Sequence, residues 1–254
     1  MRNKLFLCVV ITLLLGGCAS QKYSDPRDPF EPLNRKIYAF NRGVDKLVFK
    51  PLAEGYRWLM PDPVETGIHN VFENLDDVTT AVNGLLQGKF KQAGSDLLRF
   101  VVNSTVGVAG IFDVATHWGL EKHDEDFGQT LGYWGFSSGP YLMLPFLGPT
   151  TVRDGFGELG DYPLSYTNQI DDPATRNSVK FVDLVQTRAQ LLELEKQLED
   201  ALDEYAFVRD AYLQNREYRV HDGKLQPKDD PYGADCEADC DDVLLEDDVL
   251  EEDK

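Results

Sequence analysis

Four groups of residues in this 254-residue chain have types and spacings that could do chemistry. Leu15-Gly16-Gly17-Cys18 places two small residues before a thiol at the end of an apolar run. Small residues let backbone enter a peptidase cleft, and the thiol is placed to take a diacylglycerol. Cys236 and Cys240 sit in an acidic stretch, where they could close a small disulfide loop. The sharper alternative is a metal pair completed by Asp235, Glu237, Asp239, Asp241 or Asp242. His117 and His123, the latter followed by Asp124, Glu125 and Asp126, offer the imidazoles and carboxylates that zinc uses. A six-residue spacing does not bring both histidines to one helix face, so a solvated charged loop is expected instead. Gly155-Phe156-Gly157-Glu158-Leu159-Gly160 spells the dinucleotide fingerprint, which works only between a strand and the start of a helix. No apolar strand precedes Gly155 and Asp161-Tyr162-Pro163 follows, so a turn is expected. Ser137, Ser138 and Ser165 lack the strand-to-helix elbow of a hydrolase nucleophile. The residues therefore offer no catalytic set, no cofactor site and no metal site, and the chain does not read as an enzyme.

The elements around these groups say more. Arg2 and Lys4 precede the apolar run Leu5–Leu15, the layout of an export signal over residues 1–17. As a helix that run rises roughly 16 Å, half of a hydrocarbon core about 30 Å thick. With the small-small-Cys ending it resembles the bacterial lipobox, so the mature protein is expected to start at a lipidated Cys18 and residues 18–29 to form a tether. Ala19 is not the aspartate that resembles an inner-membrane retention signal, which points to the outer membrane, with the body on its periplasmic side. Net charge is −19, of which residues 229–254 hold −12. The remaining −7 gives no phosphate-neutralising surface, which argues against nucleic-acid binding. Residues 224–254 are too acidic and too poor in apolar groups for a packed core and read as a disordered tail.

Between tether and tail the pattern is mainly helical. Leu33, Ile37, Phe40, Val44 and Leu47 follow helical spacing until Pro51 interrupts, and Leu52, Tyr56, Leu59 and Met60 resume it up to Pro61-Asp62-Pro63. Val64 to Leu75 and Val78 to Leu86 read as two short helices, and Lys89 to Asn103 as another. Asp172 before Pro173 is a good N-cap for a long helix through Leu192, and apolar spacing resumes from Leu198 to Tyr212. Residues 127–152 carry no charge and several glycines and prolines. A lipid-exposed irregular backbone is not tolerated in hydrocarbon, so this segment should be a hairpin or loop. It either packs in a soluble core or lies at a water–lipid boundary, where Tyr133, Trp134, Phe136, Tyr141 and Phe146 would be at home.

Several blocks resemble one family. Asp28-Pro29-Phe30-Glu31-Pro32-Leu33-Asn34-Arg35, with Tyr38 and Phe40-Asn41, is similar to the opening motif of the MlaA/VacJ lipoproteins. Phe100 to Gly107, Gly110 to Ala115, Phe127 to Gly132, Gly139 to Pro149 and Thr187 to Leu192 resemble later blocks in the same order. The resemblance implies an all-α, compact ring-like helical domain over residues 30–223 with a Gly-rich hairpin. It implies a non-enzymatic outer-membrane protein, partly embedded in the inner leaflet, with an amphipathic channel. Through it, phospholipids misplaced in the outer leaflet would pass to a soluble periplasmic phospholipid carrier, preserving lipid asymmetry. The implied partner in the membrane is a trimeric outer-membrane porin. Phe127, Gly132, Tyr133, Trp134, Gly139, Pro140, Tyr141, Leu144, Pro145 and Phe146 are the candidates to line or gate the channel. Arg153 and Arg188 are candidates for phosphate contacts, with salt bridges as the alternative.

Overall fold

The structure, a computed structural model, describes residues 25–224. The expected signal, Cys18 and the acidic tail with Cys236 and Cys240 lie outside the described residues. What is described is helical apart from one two-stranded sheet, the class that the sequence implies.

Helix α1 (Glu31–Val44) carries Pro32 in its first turn, where a missing N–H breaks no bond. Pro51 bends the path without ending it. Asp45–Phe49 widen into a π turn, and α2 (Lys50–Leu59) starts with Pro51 in its own first turn. Beyond Pro61 the two expected short helices are one, the 25-residue α3 (Asp62–Leu86). Apolar steps of three and four run unbroken from Val64 to Leu86, but they do not mark the packed face. Gly67, Asn74, Asp77, Thr80, Ala81, Asn83 and Gly84 are the buried residues, all of them small or polar. Gly88, at φ +76°, turns the chain into α4 (Phe90–Thr105), which packs along α3. A Cβ on Gly84 would stand 3.2 Å from that of Ala93, so the crossing is close.

Short α5 (Val114–His117) and α6 (Phe127–Tyr133) lead to strands β1 (Tyr141–Leu144) and β2 (Gly148–Thr151), then α7 (Val152–Asp161). The uncharged segment is thus divided: its first quarter is helix, and only residues 141–151 form the hairpin, with Tyr141 opposite Thr151 and Leu144 opposite Gly148. The glycine fingerprint is likewise no turn but the body of α7. A Cβ on Gly157 would collide with the backbone of Gly128, and one on Gly160 with the ring of Phe127, so these glycines let α7 lie against α6. Helix α8 (Pro173–Gln190) starts at the expected Asp172 cap. It breaks at a 3-10 turn, Leu191–Leu194, before α9 (Glu195–Glu199) and α10 (Glu204–Val220). Asp113, Asp126, Thr151, Asp172 and Asp203 each accept the backbone N–H three residues on, capping α5, α6, α7, α8 and α10.

Contacts close a circuit. Helix α2 lies on α8, α8 on α3, α3 on α6, and α6 on α7 and α10; those two pack on β2, and β1 packs on α1. Burial in this ring is inverted relative to an ordinary soluble domain. Among the described residues, 10 hydrophobic side chains are buried, half of them alanines, against 21 polar or charged ones. Meanwhile 37 large hydrophobics are exposed, including all three tryptophans. Among the described residues no helix is long and apolar enough to cross a membrane.

Candidate functional site

The hairpin is held on α1 by two asparagines, seven residues and hence about two turns apart. Asn34 Nδ2 donates to the carbonyl of Tyr141 at 3.1 Å and its Oδ1 accepts from Met143 N at 3.0 Å. Asn41 Nδ2 donates to the carbonyl of Leu144 at 2.8 Å and its Oδ1 accepts from Phe146 N at 2.9 Å. Side-chain amides thus satisfy the edge of β1 as a third strand would. Below the hairpin Tyr141 and Met143 are buried with Tyr205, and Tyr141 meets Tyr205 and Tyr212 edge-on at 6.3 and 6.1 Å. Asp28 is fully buried here, accepting from Tyr205 Oη and from Asn34 Nδ2. The expected tether therefore already packs from Asp25 onward: Arg209 lies 3.5 Å from Asp25 and 3.6 Å from Asp28.

Between hairpin, α1, α10 and the α8–α9 corner opens a cavity of about 530 Å³. Met143, Leu191, Leu194, Leu198, Phe207 and Val208 give it apolar walls. Its charged part is a knot of side chains. Arg188 bonds Asp45 at 2.6 Å and Glu195 at 2.7 Å, Arg42 reaches Glu195 at 2.9 Å and Glu204 at 3.2 Å, and Lys50 reaches Glu195 at 3.3 Å. Burial alone would raise the Glu195 pKa, but hydrogen bonds from Arg188, Arg42 and Lys50 hold it at about 2. An apolar wall beside fixed charge suits an amphiphile, with hydrocarbon on the wall and a polar head at the knot.

A second ionic pin joins α10 to α6 and α7. Arg216 bonds Asp126 at 2.5 and 2.9 Å and Asp154 at 2.9 and 3.1 Å, and Tyr212 Oη donates to Asp154 at 2.8 Å. Burial pushes the Asp126 carboxyl up, but Arg216 and the Gln129 amides pull it to about 2.

The channel candidates do not converge on one place. Phe127 to Trp134 belong to α6 and its end, where Tyr133 and Trp134 are exposed and Phe127 meets Trp134 edge-on at 5.9 Å. Gly132 faces Arg153 and Val220, and Gly139 faces Val152. Pro140 accepts Val152 N at 3.2 Å, Tyr141 is core, Leu144 is half-buried, and Pro145 and Phe146 form the exposed hairpin tip. Arg188 borders the cavity, while Arg153 pairs with its neighbour Asp154 at 3.1 Å, away from it. The loop after His123 is not simply solvated. Glu125 is buried, bonded to Gln87, Lys89 and Gln92, and His123 pairs with the buried Asp96 at 2.8 Å. No group of three or more metal ligands forms among the described residues. Sequence reasoning assigned no role to Arg42, Asn34, Asn41 or Arg216. The paired asparagines on an otherwise amphipathic helix were the one available signal.

Comparison with known proteins agrees with this architecture. The family model of MlaA lipoproteins matches residues 26–219. The intermembrane phospholipid transport system lipoproteins MlaA of Shigella flexneri and Escherichia coli K12 are each 33% identical over 249 residues, 96% of this chain and 99% of theirs. That of Haemophilus influenzae is 33% identical over 236 residues, 89% of this chain and 94% of its own. A solved structure described as the structural basis for maintenance of bacterial outer membrane lipid asymmetry superposes with TM-score 0.68 at 34% identity, covering 76% of this chain and 98% of that one. The chain belongs to the MlaA lipoprotein family.

Proposed function

We propose that this protein is a membrane-embedded conduit that takes phospholipids from the outer leaflet of the outer membrane and passes them to a soluble periplasmic carrier. The observation that carries this reading is the inverted burial. Leu47, Leu59, Trp58, Phe90, Leu147 and Leu159 are each between 67% and 87% exposed. Burying one such side chain is worth about 1.5–3 kcal/mol, and a monomer does not leave so many in water. With no spanning helix among the described residues, the apolar belt suits a ring lying in one leaflet, where chain backbone stays bonded within helices and hairpin. The acyl chains on Cys18 deliver and orient the ring, and a trimeric porin provides a wall against which it sits. Within it, the cavity beside Arg188 takes the headgroup phosphate while the hairpin from Tyr141 to Thr151 borders the route. The names of the relatives, which place them in phospholipid transport, support the same direction of reading.

The test is genetic and chemical together. Cells lacking the gene should accumulate phospholipid in the outer leaflet, read by surface labelling of amine headgroups. An unchanged outer leaflet, with the protein still pulling down a porin, would replace the conduit by a scaffold.

A further inference from the structure

Away from the hairpin cavity, α3, α8 and the turn Tyr166–Gln169 border a groove of about 690 Å³, within the range of small-ligand pockets. Val71, Phe72 and Leu75 form one wall, Val179 and Val182 the other, and Ile170 with Tyr166 the end. Three polar side chains reach it, and each is engaged elsewhere. Tyr166 Oη donates to Asp183 at 3.0 Å, Gln169 Nε2 to the Pro163 carbonyl at 2.6 Å, and Ser178 Oγ to the Ala174 carbonyl at 2.9 Å. With their donors engaged and the rest of the lining apolar, these walls offer water few partners, so hydrocarbon fills the groove better than solvent.

Charge at the groove's edge narrows the occupant. Asp183 accepts from Tyr166 at the end of the groove, and Glu73, Asp76 and Asp183 lie close enough to act on one another, so carboxylates gather at that end. The cations near it are Lys180, the exposed chain neighbour of Val179 on α8, with Lys122 and His69. Lys122 is committed to Asp77 at 2.6 Å and Glu73 at 3.3 Å, and His69 acts on Asp183. Asp76 is reachable by solvent yet enclosed by protein; desolvation first, then the charges of Glu73, Asp183 and Asp124, push its pKa up to about 7 against the pull of Lys122. Such an edge repels an anionic head and favours an ammonium. The groove is also continuous with the exposed apolar surface, since Val182 lines it and Phe181 and Leu184 beside it are exposed.

We infer that this groove seats one acyl tail of a phospholipid whose headgroup carries an ammonium, held at the edge by Asp76, Glu73 and Asp183. The inference rests on the membrane-embedded reading above and gives it a second lipid contact, remote from Arg188.

The experiment uses the full lipidated chain in vesicles containing phosphatidylethanolamine or phosphatidylglycerol with a diazirine at the end of one acyl chain. Crosslinked peptides are mapped by mass spectrometry. Expected is an excess of label on 71–75 and 170–182, favouring phosphatidylethanolamine about fivefold, the scale of a single exposed ion pair. Val179→Trp from one wall, or Leu75→Trp from the other, should remove this label while belt residues near Trp58 and Phe90 still react. Asp76→Asn with Asp183→Asn should keep the label and abolish the headgroup preference. Label on the belt without excess in the groove, or groove label unchanged in both tryptophan variants, overturns the groove and leaves the embedded reading standing. An equal yield from the two lipids in the unmodified chain overturns the ammonium preference, and with it the occupant named here. No label on belt or groove overturns both readings.

Discussion

Replacing Asn41 with alanine removes both hydrogen bonds that hold the hairpin tip to α1, the 2.8 Å bond to the Leu144 carbonyl and the 2.9 Å bond from Phe146 N. Each is part-buried or exposed, so each contributes about 1 kcal/mol net, and together about 2 kcal/mol of resistance to local opening. At 1.4 kcal/mol per decade that is roughly a thirtyfold rise in the open population of the tip. The change is local, because Asn34 still holds Tyr141 and Met143 and the β1–β2 pairing is untouched. Amide hydrogen exchange reads it directly. Phe146 should exchange roughly thirtyfold faster, while Met143 and Tyr141, whose N–H bonds the Arg27 carbonyl at 2.8 Å, keep their protection. Asn41→Asp retains the acceptor for Phe146 N but not the donor to Leu144, so it should fall between. Unchanged exchange at Phe146 in the alanine variant would mean that the edge-on Phe40–Phe146 contact at 5.2 Å, not the amide clamp, fixes the tip.

Arg216→Met leaves Asp126 without its cation and the buried Asp154 with only Arg153 and the Tyr212 hydroxyl, and should cost about 3 kcal/mol. In thermal unfolding this appears as a drop of ~6–12 °C, and an unchanged midpoint would show the pin to be idle. Asp126 and Glu195 both have pKa values lowered to about 2, so their stabilisation is complete above the ordinary carboxylate range and is lost as pH falls from about 4 toward 2. Unfolding midpoints measured across that window should fall steeply, and should fall less in Glu195→Gln. Asp76 has the opposite sign: its pKa is raised to about 7, so its ionisation opposes folding increasingly as pH rises from about 4 to 7. Asp76→Asn should therefore be more stable than the unmodified chain at pH 8 and no more stable at pH 4; equal midpoints at both would refute the placement.

Much of the fold was legible because helix signals are local. Asp172 before Pro173, Gly88 after Leu86 and the proline at position 32 marked helix ends that the structure keeps. What failed were inferences that assumed apolar residues pack inward. Helix α3 was divided after Leu75 although steps of three and four run on through Val78 to Leu86, and its buried face is carried instead by Asn74, Asp77 and Thr80. The Gly155–Gly160 run reads as a turn because no apolar strand precedes it and Asp161-Tyr162-Pro163 follows, whereas Gly157 and Gly160 serve close contacts with Gly128 and Phe127 that no local pattern reveals. Cations paired across long stretches of chain, Arg188 with Asp45 and Arg216 with Asp126, leave no local spacing to read.

The body itself, and not only the acyl anchor proposed on Cys18, is proposed to lie in lipid. Cys18→Ala protein, exported by another signal and mixed with vesicles of brominated phospholipid, tests it with the chain's own probes. Trp58, Trp118 and Trp134 are 87%, 62% and 49% exposed, so an embedded belt should give strong bromine quenching and sedimentation with the vesicles. Protein that stays in the supernatant without detergent, its tryptophan emission unquenched, would contradict this and leave the proposed acylation of Cys18 to hold the chain at the membrane.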